Sequence, residues 1–101
     1  MDALVELVTK KIAEAIRPDK IILFGSRARG TATPESDIDL MVVYSGPKST
    51  REVQLEVQRL FLDRDFSMDV IVVTPQYLEN FKAVATTLAR EVAETGVVCY
   101  G

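Results

Sequence analysis

The chain has 101 residues, of which 48% are hydrophobic, and its 12 basic and 15 acidic side chains give a net charge of −3. This length and composition are typical of one folded domain rather than a disordered segment, so we expect a single domain over residues 1–101. The slightly acidic balance disfavours a protein that coats nucleic acid, and we expect no direct nucleic-acid binding.

Missing residue types limit the chemistry further. The sequence contains no histidine and one cysteine, Cys99, which excludes histidine-based triads, histidine-ligated zinc and an internal disulfide. No apolar run approaches the ~20 residues that cross a bilayer, and no signal peptide is visible, so we expect a cytoplasmic protein without membrane contact. Carboxylates, hydroxyls, arginines, lysines and bound metals are left for catalysis.

The first half of the sequence predicts a helix, a strand, a short turn and a second strand. Apolar residues at steps of four predict an amphipathic helix over residues 2–16, which Pro18 ends. The short apolar run 21–24 predicts a buried strand, and a helical turn over 27–30 leads into a loop. Residues 37–44 predict the second strand.

The second half predicts helices that alternate with two more strands. A capping-box pattern predicts a helix over residues 49–63. The third strand is predicted over residues 66–73. Weak helix formers inside the next helical segment, residues 74–95, favour a division into two helices. A short apolar strand over residues 97–100 ends the pattern.

This order of elements predicts an α/β (α+β) fold, a mixed β-sheet of about four strands flanked by helices. For the final strand, residues 97–100, two interpretations are open. Either it forms a free sheet edge that pairs with another chain, or a helix covers it. An oligomer or a complex with a different protein is compatible with the first interpretation.

Two aspartates open the second predicted strand. Asp37 and Asp39 share one face of a strand, roughly 6.5 to 7 Å apart. Their charges repel each other, and a divalent cation between them would remove that cost. The alternative is that both lie in the solvated loop before the strand. An EF-hand calcium loop is excluded because Ile38, Leu40 and Met41 stand where that loop needs polar ligands and a glycine.

A glycine–serine pair follows the first predicted strand. Gly25 lets the backbone approach a ligand closely, and the Ser26 hydroxyl can donate to a phosphate. The alternative is an ordinary turn between a strand and a helix. A phosphate loop of the Walker type is excluded because Gly30 is followed by Thr31 and alanine instead of lysine and a hydroxyl residue.

The third candidate, Asp69, interrupts the apolar run from Met68 to Val73. An unpaired carboxylate in a buried strand is costly, so this aspartate either faces water at a sheet edge or meets a metal. If its strand neighbours the one that carries Asp37 and Asp39, three carboxylates converge. That arrangement is typical of a two-metal site for nucleotidyl transfer.

Together these residues resemble a known family. Gly25 and Ser26, ten residues, and then Asp37-Ile38-Asp39 are similar to the signature of the polymerase-beta-like nucleotidyltransferase superfamily. The flanking stretches Ile-Leu-Phe-Gly-Ser-Arg-Ala-Arg-Gly and Ser-Asp-Ile-Asp-Leu look like its minimal nucleotidyltransferase (MNT) branch. The resemblance covers nearly the whole chain and implies the polymerase-beta-like nucleotidyltransferase fold.

The resemblance also implies roles for single residues. Asp37 and Asp39 would bind two magnesium ions, and Asp69 would complete one metal site and help to activate the attacking hydroxyl. Gly25 and Ser26 would hold the β- and γ-phosphates of ATP.

For the local basic site of Arg27 and Arg29 two roles stay open. Either an arginine stabilises the triphosphate, or both belong to a solvated helix face.

The resemblance further implies a partner. MNT proteins are often encoded beside a HEPN-domain ribonuclease toxin and act as its antitoxin, and some transfer AMP from ATP to a tyrosine of that toxin. We therefore expect a magnesium-dependent nucleotidyltransferase that modifies a HEPN toxin. The alternatives are a non-catalytic partner-binding module and a transferase for a small molecule such as an aminoglycoside. The latter enzymes generally carry an additional substrate-binding domain.

Overall fold

A computed structural model of the chain describes residues 3–101. The helices are α1 (Ala3–Ile16), α2 (Ser26–Arg29), α3 (Thr50–Leu60), α4 (Pro75–Phe81) and α5 (Leu88–Thr95). The strands are β1 (Lys20–Phe24), β2 (Ile38–Val43), β3 (Met68–Val73) and β4 (Val97–Tyr100). The predicted order of elements is confirmed; Asp2, the first residue of the first predicted helix, lies outside the described residues.

The strands form one mixed sheet in the order β3-β2-β1-β4. β1 runs antiparallel to both β2 and β4, whereas β2 and β3 are parallel. A parallel pair needs a crossover connection, and α3 provides it between β2 and β3. The predicted α/β class with a mixed four-stranded sheet is therefore confirmed.

Alternation along the strands divides the core into two layers, one on each face of the sheet. The face that packs on α1 and α3 contains Ile21, Leu23, Ile38, Leu40, Val42, Val70 and Val72. The face that packs on α4 and α5 contains Ile22, Phe24, Met41, Val43 and Val73. Each large apolar side chain buried in these layers contributes about 1.5–3 kcal/mol relative to an exposed one. We call the second surface the α4/α5 face.

α3 begins as predicted and ends early. The Ser49 hydroxyl accepts from the Glu52 amide at 3.1 Å, and the Glu52 carboxylate accepts from the Ser49 amide at 3.3 Å, which confirms the capping box. The helix ends at Leu60, not at Asp63. Phe61 leaves helical geometry, with φ −125° and ψ 32°, and its ring is buried in the core.

β2 and β3 begin one and two residues later than predicted. The Ile38 amide donates to the Ser67 carbonyl at 3.0 Å, and this hydrogen bond joins β2 to the residue just before β3. Asp37 consequently lies in the loop just before β2. Asp69 lies near the beginning of β3, where it is exposed, and not inside a buried strand.

The predicted division of the last helical segment is confirmed. α4 and α5 each have a threonine cap: the Thr74 hydroxyl accepts from the Tyr77 amide at 3.2 Å, and the Thr87 hydroxyl accepts from the Arg90 amide at 3.1 Å. A cap satisfies a backbone donor that the first turn of a helix leaves without a partner. Two caps in one segment therefore specify two short helices.

The two edges of the sheet differ. At β3, the Gln54 side chain accepts from the Val72 amide at 3.1 Å and donates to the Val70 carbonyl. The side-chain amide of Gln54 thus occupies backbone groups with which a further strand would pair. β4 carries the other edge, as predicted for one interpretation, with Val97 and Val98 exposed.

Among residues 3–101, none of the helices combines the length and the apolar composition that crossing a membrane requires.

Gln54→Leu is expected to destabilise the domain by about 1–2 kcal/mol, because two backbone groups of β3 lose their partners. The free energy of unfolding in urea measures this loss. The matched control is Gln58→Leu, at an exposed position one helical turn further along α3. Equal losses for the two variants would show that the side-chain cap of β3 contributes nothing.

Candidate active site

The sheet register brings two of the predicted aspartates side by side. Asp39 of β2 lies opposite Asp69 of the parallel strand β3, and Phe24 of β1 lies on the other side of Asp39. Neighbouring strands are about 4.8 Å apart. Both aspartates alternate with buried residues of the α1/α3 layer, so both project from the α4/α5 face. The expectation that these strands are neighbours is confirmed.

The helices leave this end of the α4/α5 face open. α4 and α5 pack further along this face, around Met41 and Val43, which come after Asp39 in β2. Asp39 is half-buried, whereas Asp37 and Asp69 are exposed. A solvated loop position is therefore correct for Asp37 but not for Asp39. The arrangement presents carboxylates to a ligand that arrives from solvent.

Gly25 packs directly against the carboxylate of Asp39. A Cβ atom at Gly25 would lie 2.3 Å from Asp39 Oδ2, and the glycine has φ +75°. Contacts this short do not occur, and side chains rarely adopt this φ. The lack of a side chain at Gly25 thus makes room for Asp39, and the predicted close approach of a ligand to the Gly25 backbone stays a prediction. A side chain at this position would displace the carboxylate.

A short helical turn, α2, begins at Ser26, directly after Gly25. The Gly25 carbonyl accepts from the amides of Ala28 and Arg29, both at 3.1 Å. Gly30 closes the turn in a left-handed conformation, with its amide donating to the Ser26 carbonyl. The predicted helical turn is confirmed, one residue earlier than expected. Ser26 is half-buried at its start.

Arg27 holds the loop that leads to the aspartates. Its Nη2 donates to the carbonyl of Ser36 at 2.8 Å and to that of Pro34 at 3.3 Å, and its Nε donates to Ser36 at 3.2 Å. Because Asp37 follows Ser36 directly, these bonds position Asp37. A triphosphate role for Arg27 stays a prediction.

Arg29 faces a residue that the sequence reasoning missed. Its Nη1 lies 3.2 Å from Oε2 of Glu91 on α5. A surface cavity of about 640 Å³ adjoins this ion pair, and its lining includes Arg90 and Glu94. Glu91 is 62 residues away in sequence, so no local pattern could have identified it.

Burial and nearby negative charges raise the pKa of Asp39. Burial raises the pKa of Asp39, and the negative charges of Asp69, Asp37 and Glu91 raise it further, while Arg29 lowers it. Ionised Asp39 therefore carries a free-energy cost that one arginine only partly offsets. A bound divalent cation would offset the rest.

Asp39→Asn is expected to stabilise the folded protein at pH 7 in the absence of metal. A raised pKa means that the folded state holds the proton of Asp39 more tightly than the unfolded state. In the wild type, the protonated Asp39 therefore stabilises the folded state fully below the ordinary aspartate pKa of 3.8, and this contribution is lost as pH rises through the folded-state pKa. Asparagine carries no charge at any pH, so the variant avoids the cost that the wild type bears at pH 7. Solvent screens the partly exposed group, so the gain stays below about 1 kcal/mol.

Thermal melts in chelator at pH 7 and near pH 3 test this prediction. The advantage of Asp39→Asn should be present at pH 7 and absent at the acidic pH. Asp63→Asn, at an exposed position, is the control. A lower melting temperature for Asp39→Asn at pH 7 would identify Asp39 as a structural residue.

The chemistry of the donor set fits magnesium. Carboxylate oxygens are the protein ligands that Mg²⁺ prefers, and one or two are enough when phosphates and water complete its shell. Across residues 3–101, no three histidine, cysteine or acidic side chains already surround one cation position. Asp39 and Asp69, with Asp37 beside them, match a partial set that a bound triphosphate would complete.

Solved structures share this fold. A toxin–antitoxin crystallised with AMP-PNP is 26% identical with a TM-score of 0.64, covering 95% of this chain and 73% of that one. A Sulfolobus solfataricus protein provisionally assigned as a nucleotidyltransferase is 22% identical, with a TM-score of 0.63 and coverages of 94% and 75%. A mutant of the toxin–antitoxin MntA–HpeT is 23% identical, with a TM-score of 0.63 and coverages of 95% and 73%.

The sequence itself matches a family. A search of curated proteins finds no match. The sequence model of the nucleotidyltransferase domain matches residues 6–99, a range that contains the glycine–serine pair and all three aspartates. The chain therefore belongs to the nucleotidyltransferase domain family.

Proposed function

We propose that this protein is a magnesium-dependent nucleotidyltransferase that transfers AMP from ATP to a tyrosine hydroxyl of a partner HEPN toxin, and so acts as a cytoplasmic antitoxin. The observation that carries the proposal is the pairing of Asp39 with Asp69 at the open end of the α4/α5 face, with Gly25 packed against Asp39. Membership of the nucleotidyltransferase family supports the reaction class.

The carboxylates would hold the metal. Asp37 and Asp39 would bind two magnesium ions, and Asp69 would complete one of the two sites. Bound magnesium would supply charge neutralisation at the phosphates and a lower pKa for the attacking hydroxyl. Gly25 leaves room for the Asp39 carboxylate, and Arg27 holds the loop before Asp37.

The remaining residues would bind the triphosphate and handle the proton. The Ser26 hydroxyl would donate to a phosphate oxygen beside Gly25. The acceptor oxygen forms a bond to the α-phosphorus, the bond to the bridging oxygen of the β-phosphate breaks, and pyrophosphate leaves. Asp69, the exposed member of the pair, would accept the proton of the attacking hydroxyl.

The choice of ATP and of a toxin partner is supported by one similar structure. The 26% identical structure is a toxin–antitoxin with AMP-PNP, an analogue of ATP, and it aligns over 95% of this chain. This likeness supports ATP as the nucleotide and a toxin as the partner. The HEPN class and the tyrosine acceptor come from the resemblance to MNT antitoxins.

Label transfer tests the proposal. The protein is incubated with magnesium, the HEPN-domain product of the neighbouring gene, and ATP labelled at either the α- or the γ-phosphate. We expect label on the toxin from α-labelled ATP only, and loss of that label when the acceptor tyrosine is changed to phenylalanine. Label from the γ-phosphate would indicate a kinase, and no label from either would contradict the proposed transfer.

A contact-only antitoxin is the second candidate. Leu7 and Leu62 are 61% and 76% exposed, and both line a cavity beside α1 whose lining includes none of the three candidate aspartates. Such a surface could bind a toxin without chemistry. The Asp37→Asn/Asp39→Asn protein separates the candidates, because it would still neutralise the toxin if contact alone were sufficient.

A further inference from the structure

The ion pair between Arg29 and Glu91 joins the α2 turn to α5 at the rim of the carboxylate site. It is a single contact of 3.2 Å between Nη1 and Oε2, and the two side chains are 46% and 40% exposed. Exposed pairs with one contact shift an equilibrium by a factor of about five at most. A ligand that offers Arg29 a better anion can therefore break this pair.

Arg27 and Arg29 would break different hydrogen bonds if their guanidinium groups turned towards a phosphate. Arg27 donates to the carbonyls of Pro34 and Ser36, and its departure would release the loop before Asp37. Within residues 3–101, the guanidinium of Arg29 forms its hydrogen bond with Glu91 alone. Only Arg29 can turn towards a phosphate without releasing that loop.

Both partners of the pair lie within electrostatic range of the site. Glu91 and Arg29 act with opposite signs on the carboxylate of Asp39. A triphosphate bound at the aspartates would thus meet an attractive guanidinium and a repulsive carboxylate together. Phosphate also bonds a guanidinium in a two-pronged, charge-assisted geometry that is stronger than the present contact.

We propose that Glu91 competes with the triphosphate for Arg29, holding the guanidinium at the site in the free protein and releasing it when the nucleotide binds. The proposal rests on the proposed function, since it assumes that a triphosphate binds at the aspartates. Glu91 then lowers the affinity for triphosphate in two ways: it occupies Arg29, and it repels the phosphates. It also recaptures Arg29 as pyrophosphate leaves.

Glu91→Gln tests the competition because it removes the charge and keeps the size of the side chain. Binding of α,β-methylene-ATP with magnesium, and of inorganic triphosphate, is measured by calorimetry at constant ionic strength. We expect Glu91→Gln to tighten binding about 3- to 10-fold. Arg29→Gln should weaken it by about 10-fold. On that background Glu91→Gln should tighten binding clearly less than it does in the wild type, because only the repulsion of the phosphates remains to be removed.

Glu94→Gln is the matched control. Glu94 lies on the same helix, lines the same cavity and pairs with Arg90 at 2.6 Å. Its replacement removes the same charge and should leave the affinity within twofold. Equal tightening by both variants would reduce the effect to net charge, and unchanged or weaker binding by Glu91→Gln would overturn the competition.

Ser26→Ala separates this inference from the proposed function. If wild-type protein binds the triphosphate, Ser26→Ala weakens binding and Glu91→Gln changes nothing, the competition alone is wrong. If wild-type protein does not bind either probe, the proposed function and the competition are both wrong. Melting temperatures of all variants show that the changes in affinity come from folded protein.

Discussion

Replacing Asp37 and Asp39 together by asparagine is expected to reduce nucleotidyl transfer by a factor on the order of 10³ or more, while the domain stays folded. Asparagine keeps the shape of aspartate and removes the charge that would hold magnesium. The fold should tolerate the change because Asp37 is exposed and Asp39 is crowded by like charges. Initial rates of α-label transfer and circular dichroism measure the two parts of the prediction.

The control must remove charge without touching the site. Asp63 and Asp65 are exposed in the segment between α3 and β3, so Asp63→Asn/Asp65→Asn changes the net charge equally. We expect this variant to keep the wild-type rate. Transfer by Asp37→Asn/Asp39→Asn within tenfold of wild type would show that these carboxylates do not hold the metal, and loss of the folded spectrum would show that they are structural.

Gly25→Ala is expected to damage both stability and transfer. The added Cβ would lie 2.3 Å from Asp39 Oδ2, and alanine would have to adopt φ +75°. The backbone strain alone is about 1–3 kcal/mol, and displacement of the carboxylate adds to it, for a total of about 2–4 kcal/mol. Unfolding in urea gives the stability loss, and label transfer should fall with the displacement of Asp39.

Gly30→Ala supplies the matched comparison. Gly30 also has a positive φ, of +77°, but a Cβ there would meet no atom within 4 Å. With ψ 15°, Gly30 is in the left-handed helical region, which strains alanine less than the φ +75° and ψ −158° of Gly25. Gly30→Ala should therefore lose less stability than Gly25→Ala, and it should keep most of its transfer activity. If the two alanine variants lose equal stability and equal activity, the contact between Gly25 and Asp39 has no role.

Gly25→Ala in a protein that already carries Asp39→Ala tests the contact between Gly25 and the Asp39 carboxylate directly. When Asp39 is already alanine, the carboxylate that Gly25→Ala would strike is absent. The stability cost of Gly25→Ala should then fall, although alanine would still have to adopt φ +75° and ψ −158° and would still meet the Cβ atom of residue 39 at 3.3 Å. A full cost on this background would show that some other neighbour of Gly25 causes the damage.

The order of the elements and the candidate site residues could be predicted from local sequence patterns. The periods of its apolar residues report which side of each helix or strand faces the core, and that signal is local. The capping box at Ser49 and the glycine–serine and aspartate spacing are local as well. Boundaries were less accurate: α3 ends at Leu60 because Phe61 packs into the core, which the helical pattern does not show.

Which of these residues meet depends on the packing of the whole domain and could not be predicted from local patterns. Asp39 and Asp69 are neighbours because β2 and β3 pair in a particular parallel register, and packing of both sheet faces sets that register. Glu91 reaches Arg29, and Gln54 caps β3, through packing of helices that are distant in sequence. A periodic pattern records the burial of each element but not its neighbours, so the sequence supplied the functional groups and the packed sheet supplied their geometry.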